Sequence, residues 1–211
     1  FELSGVRWEI ERTAQGAVRA LRRDGAPVRF SVASSGHIPL SDAFAWKAEG
    51  LVFARVLGAP YAGAGGSRFR LVGTGAAVLD AVATPAPGAD VEVQAVVSVA
   101  NDEGGLALRA SADDAALRGV SVVITPGAPA KASLVLREGG AARSLTTPVT
   151  LPRGDQLPLH VVVRGQTVQA SVGGQTLQGF LPPALEGNAV ALYAKRGAVV
   201  EVGSFRVARA R

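Results

Sequence analysis

The chain has 211 residues, with 22 basic and 17 acidic side chains and neither cysteine nor methionine. Without cysteine there is no disulfide framework, no cysteine-ligated zinc site and no thiol chemistry, and no apolar run approaches the roughly 20 residues of a transmembrane helix. Because no initiator methionine is present, we expect a processed or excised piece of a longer product, from which any signal peptide has been removed.

The net charge of +5 comes mostly from arginine, since only three of the basic residues are lysines. A nucleic-acid-binding surface usually combines clustered positive charge with aromatic side chains. The densest basic stretch, residues 19–29, contains no aromatic residue. We therefore expect no nucleic-acid partner, whereas an acidic polysaccharide or an anionic membrane surface fits the charge better.

The first 30 residues fit either a helix that begins at Thr13 or a β-hairpin that turns at Gln15 and Gly16. The hairpin register places Glu9 opposite Arg22, and a cross-strand pair of opposite charge stabilises such a hairpin. We therefore predict the hairpin.

Residues 31–67 are the least regular part of the chain, and we expect one short strand there, LVFARVLG, between two loops. From residue 68 onward, short segments that alternate or are rich in valine follow one another, bounded by Gly, Pro, Asn or Asp. Their spacing of about 8 to 12 residues is typical of a β-sandwich or barrel.

The stretch LPLHVVVRGQTVQASVGGQTL predicts three strands in a meander. A two-residue turn that begins at Gly165 suits a type II′ hairpin and places Val163 opposite Val168. The same register places His160 opposite Ser171 on the other face. One face is therefore apolar and the other mostly polar, as expected where one side of a sheet is buried.

The last strand changes its alternation. Val200 and Val202 have one parity, whereas Phe205 has the other. An extra residue within a strand produces such a switch, so we predict a β-bulge at residues 203–204.

These elements predict an all-β fold in which residues 1–211 form one β-sandwich domain. Within it we distinguish an N-terminal hairpin at residues 1–30, an irregular, loop-rich segment at residues 31–67 and the sandwich body at residues 68–211. All-β chains of this length are commonly single domains.

Three stretches of the body, DVEVQAVVSVANDEGGLALRAS, LPLHVVVRGQTVQASVGGQTL and GNAVALYAKRGAVVEVGSFRVAR, resemble the concanavalin A-like lectin/glucanase superfamily, including its laminin-G-like members. The resemblance covers residues 69–211, and Ala189 and Ala191 stand where glycine is common. It implies two antiparallel sheets packed face to face in a jelly roll.

That superfamily contains lectins, glycoside hydrolases and adhesion or spacer modules, so the fold does not choose the function. We expect a non-catalytic, exported accessory module that binds carbohydrate or a protein partner through its loop rim or concave sheet. Its location would be extracellular, periplasmic or at the cell surface. The alternatives are a structural or assembly domain of a cell-envelope complex, with no small ligand, and a glycoside hydrolase-like enzyme.

The enzyme alternative depends on Glu9 and Glu11, which share one strand face as paired carboxylates for glycoside hydrolysis do. The glucanase branch of the superfamily uses E-I-D-x-x-E, and this chain lacks the third carboxylate. Arginines opposite the pair would also keep both acids ionised, which makes them poor proton donors. We therefore assign no catalytic residue and do not expect an enzyme.

A metal site is predicted at Asn101, Asp102 and Glu103, because laminin-G-type domains hold calcium with such oxygens at one rim. A second acidic pair, Asp113 and Asp114, would approach it. Calcium is thus the one cofactor that we consider. The alternative is a hairpin tip, where acidic and glycine residues favour the turn.

A ligand site is predicted in the irregular segment. Aromatic faces stack on sugar rings while polar groups fix the orientation of the hydroxyls. The candidate ligand-binding residues are His37, Asp42, Trp46 and Tyr61. The alternative for Trp46 is a place in the core, and we interpret His160 as an ordinary surface residue.

Overall fold

A computed structural model shows an all-β protein, with no helix among the described residues. The structure describes backbone and side chains over residues 69–74, 79–111, 116–138, 140–183 and 185–210. It describes the backbone alone for residue 112 and for the strands between residues 2 and 68. In this part of the chain, no helix is long and apolar enough to cross a membrane.

The strands in chain order are β1 (Glu2–Leu3), β2 (Val6–Arg12), β3 (Val18–Arg23), β4 (Ala26–Pro27), β5 (Ile38–Pro39), β6 (Ala45–Ala48), β7 (Leu51–Leu57), β8 (Tyr61–Gly65), β9 (Arg68–Val72), β10 (Leu79–Pro85), β11 (Val91–Ala100), β12 (Gly104–Ala112), β13 (Leu117–Thr125), β14 (Lys131–Glu138), β15 (Ala141–Ser144), β16 (Val149–Thr150), β17 (Leu157–Arg164), β18 (Thr167–Val172), β19 (Gln175–Phe180), β20 (Ala189–Lys195) and β21 (Val199–Arg209).

Two large antiparallel sheets form the sandwich. The nine-stranded sheet has the order β15-β14-β13-β12-β20-β10-β7-β6, with β16 paired to β14. The eight-stranded sheet has the order β19-β18-β17-β11-β21-β9-β8-β5. Strands β1 to β4 pair among themselves in a separate four-stranded sheet. The predicted two-sheet jelly-roll sandwich is therefore confirmed.

The core lies between the two large sheets. The nine-stranded sheet contributes side chains such as Leu106 and Val122, and the eight-stranded sheet contributes Val93, Val161 and Val168, all at most 1% exposed. Burying one such aliphatic side chain is worth about 1.5–3 kcal/mol. The alternating small aliphatic residues of the sequence thus supply the dry interior that holds the sheets together.

The predicted registers are confirmed. Strand β17 pairs with β18 so that Val163 faces Val168 and His160 faces Ser171. Gly165 has φ of 51°, as the first residue of a type II′ turn requires. In the N-terminal hairpin, β2 pairs with β3 and Glu9 lies opposite Arg22, but Glu11 lies opposite Ala20, so the expectation that both carboxylates face arginines is wrong for Glu11.

The irregular segment contains more strands than we expected. Besides β7, which is the predicted strand, it carries β5, β6 and β8. Strands β6 and β7 extend the nine-stranded sheet, and β5 and β8 extend the eight-stranded sheet. The three unexpected strands are only two to five residues long, so their alternation is too brief to be recognised in a sequence rich in Gly and Ala.

The two large sheets differ on their outer faces. On the nine-stranded sheet, small side chains such as Ala81, Ala107 and Ala191 surround Tyr193, and all four are fully buried. On the eight-stranded sheet the outward positions are exposed or partly exposed, as the alternating burial of β11, β17 and β18 shows. The described part of the eight-stranded sheet therefore offers a face to solvent.

Candidate functional site

Polar side chains cover the outer face of the eight-stranded sheet. We call this surface the polar face, and it consists of two rows that cross strands β21, β11, β17, β18 and β19. The first row is Arg206, Gln94, His160, Ser171 and Thr176. The second row is Ala208, Glu92, Val162, Gln169 and Gln178. Neighbouring strands lie about 4.8 Å apart, so each row spans about 19 Å.

The bulge in β21 decides which way Arg206 points. Gln94 pairs with Arg206 but Val96 pairs with Gly203, so the register shifts between them, and Ser204 has a left-handed φ of 50°. Before the shift Val202 faces the core, and after it Phe205 does. Without the extra residue Arg206 would face the core. The predicted bulge is thus confirmed, and it places a guanidinium on the polar face.

A hydrogen-bonded group lies in the middle of the polar face. Gln94 Nε2 donates to Glu92 Oε1 over 2.9 Å, and His160 Nε2 lies 3.0 Å from the same oxygen. The hydrogen bond from Gln94, followed by that from His160 and the positive charge of Arg164, lowers the pKa of Glu92. The carboxylate is therefore ionised and oriented while it remains accessible to solvent.

An open groove of about 610 Å³ lies beside this group. Its lining residues are Glu92, Gln94, Arg206, Ala208, Arg209 and Ala210. Both arginines are exposed. Arg206 pairs with Gln94 on the polar face, whereas Arg209 pairs with the buried Val91 and so leaves β21 on the opposite side. Arg206 therefore supplies a cationic donor at the groove, and its guanidinium has no ion-pair partner among the described residues.

An aromatic ring stands at the opposite corner of the polar face. Phe180 is 72% exposed, and it is the one exposed large hydrophobic residue in the described part of the chain. It pairs with Thr167, which in turn pairs with Arg164. A large exposed apolar side chain within a polar surface is a feature of interaction sites.

The side chains of the loop that was predicted to bind calcium form hydrogen bonds within the protein. Glu103 Oε1 accepts a hydrogen bond from Arg137 over 2.9 Å, and Glu103 Oε2 accepts one from Lys195 over 2.7 Å. Asn101 Nδ2 donates to the carbonyl oxygen of Gly197 over 3.3 Å, and Asp102 Oδ1 accepts from the amide of Glu103. Both carboxylate oxygens of Glu103 are therefore already engaged by cations.

We call the group formed by Arg137, Glu103, Lys195, Tyr193 and Ser121 the Arg137 cluster. The Arg137 guanidinium lies 4.8 Å from the centre of the Tyr193 ring, and its Nε donates to Ser121 Oγ over 3.2 Å. Burial raises the pKa of Tyr193 well above its ordinary value; the nearby Arg137 charge lowers it, and the Glu103 carboxylate raises it. The Tyr193 hydroxyl has no hydrogen-bond partner among the described residues.

Calcium binding at Asn101, Asp102 and Glu103 stays a prediction. No group of three or more acidic or histidine side chains is arranged as metal ligands in the part of the chain that the structure describes. Asp113 and Asp114 lie outside the described residues. A calcium ion that binds Glu103 would compete with Lys195 and Arg137 for its carboxylate.

The predicted ligand site is only partly in view. His37 and Asp42 lie outside the described residues, and only the backbone is described at Trp46 and Tyr61. Trp46 lies on β6 in the nine-stranded sheet, and Tyr61 lies on β8 in the eight-stranded sheet. The two strands are close neighbours, but this site stays a prediction.

The polar face is the surface that the sequence interpretation missed. The alternation of LPLHVVVR did place His160 on the polar side of a hairpin, although we interpreted it as an ordinary surface residue. The partners Glu92 and Arg206 come from β11 and β21, which are far from β17 in the chain. Phe180 has the same parity as Thr176 and Gln178, so the alternation of β19 places it on the polar side of the strand, and this is the signal that the sequence interpretation did not use.

Comparisons with known proteins identify the fold. The carbohydrate-binding module CBM66 from Bacillus subtilis matches with a TM-score of 0.60 and 14% identity, covering 74% of this chain and 94% of that chain. The exoplasmic/lumenal domain of VIP36, in a Ca²⁺/Man-bound form, matches with a TM-score of 0.52 and 12% identity, covering 75% and 82%. A mutant of the GH43 protein BlXynB from Bacillus licheniformis matches with a TM-score of 0.53 and 14% identity, covering 68% of this chain but 33% of that chain.

These likenesses show the fold of the chain, a two-sheet antiparallel jelly-roll sandwich. No protein-family model matches the chain, and no curated protein matches it in sequence. The assignment therefore concerns the fold, and function has to be argued from the polar face.

Proposed function

We propose that this chain is a non-catalytic module that binds carbohydrate through the polar face. The observation that carries the proposal is the pair of rows on the polar face, in which most side chains are exposed and which follow the regular pairing of the strands. The fold supports it, since matching structures include a carbohydrate-binding module and a domain solved in a Man-bound form.

The chemistry of the polar face suits a sugar. Sugar hydroxyls both donate and accept hydrogen bonds, and the face offers an ionised acceptor at Glu92 next to the amide of Gln94. Hydrogen bonds to charged groups are stronger than those between neutral groups. The exposed ring of Phe180 supplies an apolar surface on which the face of a sugar ring can stack.

The geometry suits an extended ligand. From the strand spacing and the rise per residue, Phe180 lies roughly 23 Å from Arg206, diagonally across the sheet. A ligand that contacts both ends is therefore a chain of several sugar units. We propose that the module acts in the extracellular space, in the periplasm or on the cell surface, where extended polysaccharides are accessible.

A polysaccharide panel tests the proposal. Affinity electrophoresis and a glycan array would compare the wild type with Phe180→Ala and with the double variant Gln94→Ala/His160→Ala. Because each variant removes exposed groups from the polar face only, we expect binding to weaken by about tenfold or more. The matched control is Glu138→Ala/Thr150→Ala, which alters exposed positions on the nine-stranded sheet and should bind as the wild type does.

Two results would contradict the proposal. One is wild-type binding by both variants of the polar face. The other is loss of binding in Trp46→Ala and Tyr61→Ala alone, which would move the ligand to the site predicted from the irregular segment. Circular dichroism of every variant would establish that each one is folded.

A further inference from the structure

The two halves of the polar face differ in charge. Over β21 and β11 its two rows carry one arginine, Arg206, and one glutamate, Glu92. With His160 neutral, the formal charge of the two rows is therefore zero, in a chain whose net charge is +5. Over β18 and β19 the outward positions are all uncharged, and they are Thr167, Gln169, Ser171, Thr176, Gln178 and Phe180.

Two glutamines lie opposite each other in the uncharged half. Gln169 of β18 pairs with Gln178 of β19, and both are exposed. No hydrogen bond joins either side-chain amide to another residue in the described part of the chain, whereas the amide of Gln94 donates to Glu92. A glutamine amide has an acceptor oxygen and an NH₂ group with two donors. The pair thus offers donors and acceptors that the protein itself leaves unused.

Phe180 is the next outward residue after Gln178 on β19. Because the two residues are two positions apart on one side of the strand, their Cα atoms are about 7 Å apart. A sugar ring that stacks on the exposed phenyl ring therefore places its hydroxyls within reach of the Gln178 amide. Thr167 pairs with Phe180 and adds a hydroxyl beside it. We call Phe180, Thr167, Gln169 and Gln178 the Phe180 subsite.

The chemistry of the Phe180 subsite favours an uncharged sugar. A hydroxyl both donates and accepts hydrogen bonds, and an amide does the same, so neither group has to be ionised. A carboxylate that leaves water loses free energy unless a cation or other strong donors replace the water. In the row of Phe180 the charged residue is Arg164, two strands away, with about 10 Å between the Cα positions. A sugar carboxylate at this subsite would therefore lose hydration without an adjacent cation in its row.

We propose that the ligand of the polar face is a neutral polysaccharide, one sugar unit of which stacks on Phe180 while the amides of Gln169 and Gln178 bind its hydroxyls. This inference rests on the function proposed above and names the class of polysaccharide. Glu92 and Arg206 bind the hydroxyls of more distant units, since ionised groups also form strong hydrogen bonds to neutral partners.

The test compares polymers that differ in charge and variants that differ in one amide. Affinity electrophoresis would use neutral glucans, mannans, xylans and fructans, with polygalacturonate and alginate as anionic polymers. We expect a neutral polymer to bind most tightly and its binding to weaken by about fivefold in Gln178→Ala, which removes hydrogen bonds between neutral groups.

The matched control is Gln175→Ala. Gln175 is exposed on the same strand, but it pairs with the buried Val172 and so leaves β19 on the opposite side. The control removes the same group from the same strand, and its binding should stay within about twofold of the wild type.

The other outcomes are distinguishable. Tighter binding of a polyuronate than of every neutral polymer, weakened by Phe180→Ala, would overturn this inference and leave the proposed function intact. Equal effects of Gln178→Ala and Gln175→Ala on a neutral polymer that Gln94→Ala/His160→Ala weakens would do the same, because the amides of the Phe180 subsite would then have no role. Binding of no polysaccharide would overturn the proposed function as well.

Discussion

At the scale of single residues, Glu103 shows how distant partners decide the role of a side chain. The run Asn101, Asp102, Glu103 has the composition of a calcium-binding loop. In the structure, the carboxylate of Glu103 meets Arg137, 34 residues away, and Lys195, 92 residues away. Local sequence indicates which groups are able to bind a cation, but it does not indicate that cations of the chain itself will reach them.

The buried phenol of Tyr193 leads to a prediction about how stability depends on pH. Burial raises the pKa of its phenol, and this effect exceeds the opposing effect of Arg137. A group with a raised pKa in the folded state contributes stability that is fully present below its ordinary pKa of about 10 and is lost as the pH rises above that value. We therefore expect the free energy of unfolding to fall above pH 10 more steeply in the wild type than in Tyr193→Phe.

Urea unfolding between pH 8 and pH 11.5 would measure this difference. The variant keeps the ring beneath Arg137 and removes only the hydroxyl, which has no hydrogen-bond partner among the described residues. Parallel loss of stability in the two proteins would show that Tyr193 does not titrate in this way.

At the scale of strands and turns, most of the architecture is predictable, because it follows from local alternation. The registers around Gly165 and the bulge at residues 203–204 came from parity alone and are confirmed. The short strands β5, β6 and β8 were missed, since two to five residues contain too little alternation. The sequence also does not show where the backbones of neighbouring strands approach each other closely, as they do at Gly105.

The contact between strands β12 and β13 at Gly105 leads to a prediction about stability. A Cβ at this position would collide with the backbone carbonyl of Val122 on the adjacent strand β13, and backbone cannot move aside as a flexible side chain can. We expect Gly105→Ala to lower the free energy of unfolding by about 2–3 kcal/mol. Chemical denaturation would measure the change.

The matched control for this prediction is Gly88→Ala. At Gly88 the nearest heavy atoms to an added Cβ lie 3.9 Å and 4.0 Å away, so the change should be within about 1 kcal/mol of neutral. An effect of similar size in the two variants would mean that the strands β12 and β13 are not packed as closely as described.

At the scale of the whole molecule, the sandwich brings together residues that the sequence keeps apart. The first polar row takes its members from five strands, β21, β11, β17, β18 and β19, and only the last three are consecutive in the chain. The sequence predicts two sheets and a polar side to each hairpin. It does not predict which strands become neighbours, nor that the outer face of the nine-stranded sheet is buried whereas the polar face is exposed.

Because the sequence does not show which strands become neighbours, the predicted ligand site was chosen by residue type, and the aromatic residues Trp46 and Tyr61 were selected. Those residue types suit sugar binding wherever they occur, so composition alone selects them. The polar face is instead defined by position, because Gln94, His160 and Arg206 come to lie in one row only when β11 lies between β17 and β21. Such an arrangement depends on the completed fold.

The most direct test of the account is to map the bound ligand on the protein by NMR. Backbone amide shifts would be followed while the wild type is titrated with a short oligosaccharide prepared from the polymer that it binds. We predict that the largest changes occur along the first polar row, at Gln94, His160, Ser171, Thr176 and Arg206, and extend to Phe180. Changes confined to the nine-stranded sheet, or to residues 37–61, would contradict the assignment of carbohydrate binding to the polar face.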